Sequence, residues 1–304
     1  MRDEPLHEID ERIMEVSRRI DFYSFLTPLN QTEEKEKFFR AFREQQHYDP
    51  VFRYRRSDLR EEKKLLGEMR GLLDREDDMQ SIFLKKIDFM ERQIGLLTCG
   101  DNEFTDISGQ LYGMPDAGDM DLAGNILSKS RESRYVFPEE TVTPQEMASV
   151  LGRKLEEKGI DWAVVPSDRI VSKISVSGRD RTVYVNSGIG YTAEEVRRLE
   201  VHEIEVHVYR GANGDDQPFK IFREGLAGYD EAEEGLAVAA EDIAGCLEAD
   251  TRQMKLYAGR YVSVGCSLKG SFHETFAELL EFFPEGLAYR LAERGKRGLR
   301  DTSV

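Results

Sequence analysis

Two of the five histidines fall within six residues, in the run His202-Glu203-Ile204-Glu205-Val206-His207. Imidazole nitrogen is a zinc ligand, and a catalytic zinc keeps one coordination position open. In the helical pattern His-Glu-x-x-His, both histidines bind zinc and the glutamate serves as general base. Here the spacing is one residue longer. On a regular α-helix, residues four apart differ by about 40° in azimuth and residues five apart by about 140°. Imidazoles splayed by the larger angle do not easily meet on one ion. A π-bulge adds a residue to one turn, and such bulges are frequent at functional sites. The spacing therefore predicts a bulge or kink between His202 and His207. The alternative is two surface histidines that stand together by chance.

The flanks favour the helix. Thr192-Ala193-Glu194-Glu195 has the spacing of a capping box. Val196, Leu199, Val201, Ile204, Val206 and Val208 give the helix a broad apolar surface, and Gly211-Ala212-Asn213-Gly214 supplies a stop. Upstream, Ile174/Val176 and Val183/Val185 alternate with polar residues on either side of Gly178-Arg179-Asp180-Arg181. That is a β-hairpin feeding the helix.

A third ligand is needed. Asp230 is placed to cap a second helix, with Glu233 in the reciprocal position. On that helix Glu234 lies among Leu236, Ala237, Ala239 and Ala240. A carboxylate there is costly to bury unless it is paired or metal-bound. The alternative places Glu234 on a solvated face with Glu231 and Glu233.

His202-Glu203-x-x-x-His207, Gly225-Leu226-Ala227-Gly228-Tyr229-Asp230-Glu231 and Glu234-Gly235-Leu236-Ala237-Val238 together resemble the microtubule-associated tyrosine carboxypeptidase family. Its bacterial members carry Gln-Glu-Gly-Leu-Ala, where this chain has Glu233 in place of the glutamine. Pro28-Leu29-Asn30, Pro50-Val51-Phe52-Arg53-Tyr54 and Tyr112-Gly113-Met114-Pro115 are similar to the family's leading region. The resemblance implies a zincin-like core and one Zn2+ held by His202, His207 and Glu234, with Glu203 as the catalytic glutamate. It also implies release of a C-terminal residue from a peptide or protein, a tyrosine of α-tubulin in the animal members. Tubulin itself is not carried over to this chain. A carboxypeptidase needs a cation for the terminal carboxylate. Lys173, on the hairpin, is the first choice, ahead of Arg210, Arg223, Arg294 and Arg297; Tyr209 and Tyr229 are candidate oxyanion donors.

The 304 residues carry a net charge of −16, which argues against a general nucleic-acid binder or a partner of anionic membranes. No apolar run approaches the roughly 20 residues that span a bilayer, and the first residues show no apolar signal core. Cys99, Cys246 and Cys266 are odd in number and far apart, so no disulfide framework is implied. The expectation is a cytoplasmic protein.

Residues 1–133 read as a helical region, with stripes such as Ile9, Ile13, Val16 and Ile20 or Ile82, Phe83, Ile87, Met90, Ile94 and Leu97. Asp116 to Asp121 and Phe137 to Val142 read as turns. Residues 134–304 form the catalytic region, packed as one unit with the first. It contains a helix from Thr143-Pro144, a strand over Asp161 to Val165, the hairpin, the two ligand helices, a helix over Asp250 to Val264, a capping box at Ser271-Phe272-His273-Glu274 and a last helix from Pro284. The fold class is thus α+β, mostly helical, with a small sheet. Two histidines and a carboxylate also describe a non-haem iron site, but those usually sit on β-barrels. A di-iron bundle site needs Glu-x-x-His, and Leu199 and Ile204 stand three residues before the two histidines. A non-catalytic regulator that keeps the fold would have no use for Glu203.

Overall fold

Three helices start with the same device. Thr143, Thr192 and Ser271 each accept a hydrogen bond from the backbone N–H three residues on, and Glu146, Glu195 and Glu274 each return one, completing capping boxes. The computed structural model describes residues 4–296 except 21–24, 26, 57, 130–134, 136, 138, 169, 171 and 250. In chain order its helices before the sheet are α1 (Glu4–Arg19), α2 (Gln31–Arg43), α3 (Arg60–Arg70), α4 (Asp78–Thr98), α5 (Asp101–Tyr112), α6 (Ala117–Lys129) and α7 (Pro144–Lys158). The strands are β1 (Ala163–Ser167), β2 (Ile174–Ser177) and β3 (Thr182–Asn186). Then follow α8 (Ala193–Leu199), a π-helix (Glu200–Val208), α9 (Tyr209–Asp215), α10 (Ile221–Glu224), α11 (Asp230–Ile243), α12 (Cys246–Ala249), α13 (Thr251–Ser267), α14 (Phe272–Leu280) and α15 (Glu285–Lys296). No described helix is long and apolar enough to cross a membrane.

Contacts divide the chain into two compact units, each drawn from three stretches. One comprises Met1–Ser17, Glu68–Ile87 and Phe137–Thr251; the other comprises Arg18–Gly67, Asp88–Val136 and Arg252–Val304.

The first unit contains the sheet. Its order is β1-β3-β2, with β2 and β3 forming the antiparallel hairpin and β1 running parallel to β3. Val183 and Val185 of the central strand are fully buried, whereas the outer strands are partly exposed. Met147, Leu151 and Leu155, four residues apart on α7, pack against Trp162, Ile174, Val183 and Val185, and against Leu199, Ile204 and Val208 of the helices that follow. α9 runs to Asp215, so Gly211 and Gly214 lie inside it rather than stopping it. Their task is close approach: a Cβ on Gly211 would overlap the Trp162 ring, and one on Gly214 would overlap the backbone of Arg223. Because backbone yields less than a side-chain tip, Gly214→Ala is expected to lower stability by about 1–3 kcal/mol, read as a shift in the urea midpoint. On α1, the buried Asp10 carboxylate accepts from the N–H groups of Lys220 and Ile221 at 2.7 and 3.0 Å, which satisfies the start of α10.

The second unit is built on aromatics. Phe38 of α2 meets Phe272 and Phe276 of α14 edge-on and Tyr289 of α15 at a tilt. The turn reading of Asp116 to Asp121 gives way to α6, whose Ala123 and Leu127 join this core. Burying those two residues outweighs the weak propensity of a Gly- and Asp-rich start. The two upstream motifs are tied together: Asn30 donates to the Val51 carbonyl and accepts from Arg53 N–H, at 2.9 and 2.8 Å. Glu34, buried beside them, accepts from Lys37, the Tyr48 hydroxyl and Val51 N–H. Burial opposes its charge, but these hydrogen bonds outweigh burial and hold the carboxyl below the usual glutamate range. The stability it contributes is present above the unfolded-state value of about 4.3 and is lost as pH falls through the lower folded-state value. Glu34→Gln should therefore be less stable than wild type at neutral pH, and the gap should close in acid.

Candidate metal centre

The expected irregularity lies at the expected place and is longer than one turn: nine residues, Glu200 to Val208, are π-helical. With i→i+5 hydrogen bonds, residues five apart come one above the other. His202 and His207 therefore share a face, with ring centroids 5.0 Å apart. Val201, Ile204, Val206 and Val208 bury the rest of the helix, while Glu205 points outward to Lys154 at 3.4 Å.

Both rings are gripped by their Nδ1 atoms. Glu241 Oε1 lies 2.7 Å from His202 Nδ1, and Glu233 Oε1 lies 3.1 Å from His207 Nδ1. An ionised carboxylate can only accept, so each Nδ1 carries a proton, which leaves each Nε2 as the atom that would meet a metal ion. Both Nε2 atoms face Glu234, 3.5 Å from Oε2 and 3.5 Å from Oε1 respectively. Zinc binds such atoms at about 2.0–2.2 Å, which sets tetrahedral ligands roughly 3.4 Å apart. The donor types and the two imidazole-to-Glu234 distances fit a zinc ion. Glu203 also places a carboxylate oxygen in the group that it forms with the two histidines, whose candidate ligand atoms lie within 4.8 Å of one another.

α11 packs against the π-helix and supplies all three outer carboxylates. Glu233, Ala237 and Glu241, four residues apart, form its buried stripe, and the small Ala237 between the glutamates leaves room for the approach. Glu233 is not part of a cap. Tyr229 is the N-cap, with no side-chain capping bond, and Asp230 is already helical. Glu234, one residue round from the stripe, has 63 % of its side chain exposed. Of the two readings of this residue, the exposed one holds for the side chain as a whole, yet its carboxylate still faces both imidazoles.

The electrostatics favour a cation. Burial opposes protonation of His202, but Glu234 and Glu241 outweigh it and push the imidazole up to about 10. His207 rises too: burial again opposes, and Glu233, Glu203 and Glu234 prevail. Glu233 and Glu241 are held below the glutamate range against burial, by His207 with Arg210 and by His202 with Arg198. Glu203 goes the other way. Its burial raises its carboxyl, and the neighbouring imidazoles only partly offset this. A buried carboxyl raised in this way is suited to taking and returning a proton.

Lys173 lies elsewhere in the unit's hydrogen bonding, 2.7 Å from Glu195 and 3.2 Å from the Gly190 carbonyl. Arg223 pairs with Asp215 at 2.9 Å. Arg210 pairs with Glu233 at 2.9 Å and lies over the Tyr229 ring. Tyr209 packs against the core beneath α7. Arg294 is on α15, and Arg297 is outside the described residues. Glu241 and Arg198 carry no local sequence signal for this site, and Glu233, expected in a helix cap, lies instead behind the His207 ring.

No curated protein matches the chain. A family model described as microtubule-associated tyrosine carboxypeptidase matches residues 36–302. This covers nearly the whole sequence, and the chain belongs to the microtubule-associated tyrosine carboxypeptidase family.

Proposed function

We propose that this protein is a zinc-dependent peptidase that removes one residue, preferentially aromatic, from the C-terminus of a peptide or protein. The observation that carries the reading is the convergence of His202 Nε2, His207 Nε2 and the Glu234 carboxylate, with Glu203 buried beside them. The family description supports the C-terminal direction of attack and the aromatic preference.

His202, His207 and Glu234 would hold the ion. When bound, zinc lowers the pKa of water and polarises a carbonyl. Glu203 takes the proton of the attacking water and delivers it to the leaving amine, a role its raised carboxyl suits. Glu241 and Glu233 keep both rings turned with Nδ1 outward, so neither histidine rotates away between turnovers. The exposure of Glu234 leaves the site open to a chain end.

The test is a panel of peptides that differ in their last residue, incubated with zinc-loaded protein and read by mass spectrometry. The expected products are shortened by one residue, chelator stops the shortening and added zinc restores it. Internal cleavage would contradict the carboxypeptidase reading. Zinc bound tightly with no cleavage of any peptide would favour a non-catalytic regulator.

A further inference from the structure

Arg210 takes no part in the chemistry above, yet it is held from several sides. Its Nε donates to Glu233 at 2.9 Å, and its Nη1 donates to the carbonyls of Phe222 and Arg223. Its guanidinium lies 5.0 Å from the centroid of the Tyr229 ring. Tyr229 in turn fills the space that a side chain on Gly225 would need, and Gly225 has a φ of 120°. The buried Lys86 donates to the Gly225 carbonyl at 2.6 Å and ties down the same loop. Arg198 does for the other ring what Arg210 does here: its Nη1 is 2.9 Å from Glu241 Oε1, and both side chains are buried. Each imidazole therefore meets a carboxylate, and each carboxylate meets an arginine three or four residues from that imidazole in sequence.

We infer that Arg210 and Arg198 are positioning residues that set the metal affinity, by pinning Glu233 and Glu241 on the Nδ1 side of each histidine. The inference rests on the metal-site reading. A glutamate carboxylate is negative and turns about several bonds. Released beside the imidazoles, Glu233 is free to swing to the Nε2 side and compete with Glu234. The planar guanidinium fixes where that carboxylate lies and balances its charge. A neutral amide at position 233 could accept the same bond from Nδ1 and would need no balancing charge.

The experiment is a double-mutant cycle on zinc affinity, by chelator competition at fixed pH. It uses wild type, Arg210→Met, Glu233→Gln and the double variant, with Arg210→Lys as a second probe of the same contact. Arg210→Met should bind zinc about 10–100-fold more weakly, and Arg210→Lys should recover part of the loss. In the Glu233→Gln background, Arg210→Met should cost less than about 3-fold, because the charge it balances is gone. Melting temperatures of the metal-free proteins separate this from a packing role, which would lower them without moving zinc affinity. An equal loss in both backgrounds, or no loss in wild type, overturns the inference and leaves the metal site standing. Wild-type protein that binds no zinc overturns the site and the inference together.

Discussion

Glu203→Gln is expected to bind zinc as wild type does and to lose hydrolysis by roughly 10²–10⁴-fold, the usual contribution of a positioned general acid–base. The expectation follows from where the residue sits. Glu203 is one residue past His202 on the π-helix, and it is buried with a carboxylate oxygen close to both imidazoles. The amide is close in shape and keeps an oxygen, so the two imidazoles and Glu234 should stay in place. It cannot take a proton. A loss of zinc alongside activity would show instead that Glu203 holds the ion, and would assign it a different role.

Glu241→Ala should show the largest combined loss of stability and zinc affinity of any residue outside the ligand set. The carboxylate is completely buried and is shared by Arg198 and His202. Removing one partner of a buried ion pair typically costs about 3–5 kcal/mol, and losing a carboxylate behind a ligating histidine typically costs about 10–100-fold in metal affinity. Both losses should appear in one variant, as a lowered urea midpoint and a weakened zinc affinity. Glu241→Gln separates the two causes. It keeps an acceptor for Nδ1 and removes the charge, so its ring position should survive better than its stability. A neutral outcome for Glu241→Ala would mean that His202 is held by the packing of the π-helix alone.

The sequence carried much of this centre because its constraints were local. A five-residue spacing between histidines is compatible with one ion only if the helix is wound wider, and the π-helix is that solution. Thr192 and Ser271 announced their helices because each cap and its returning glutamate lie within four residues, and Thr143 announced its own through the proline that follows it. What stayed hidden depended on distant partners. Glu241 is 39 residues from His202, and no spacing rule links them. Glu233 and Asp230 had the look of a cap, but Glu233 finds a stronger partner across the helix pair than its own N-terminus offers. The parallel pairing of β1 with β3 could not be read from the hairpin, because alternation marks the buried face of a strand and not its neighbour. The same limit applies to the helices. An apolar stripe says that a face is covered without saying by what, so the assembly of each unit from three separate stretches is not legible in the pattern.

Zinc peptidase chemistry in this protein requires two imidazoles and one carboxylate to meet at a single ion. Elemental analysis of purified wild type, Glu203→Gln and Glu234→Ala, dialysed against the same trace of zinc, tests that directly. About one zinc per chain is expected in the first two proteins and little in the third, because losing one of three ligands removes a large part of the binding free energy. Full zinc occupancy in Glu234→Ala, or none in wild type, would contradict that arrangement.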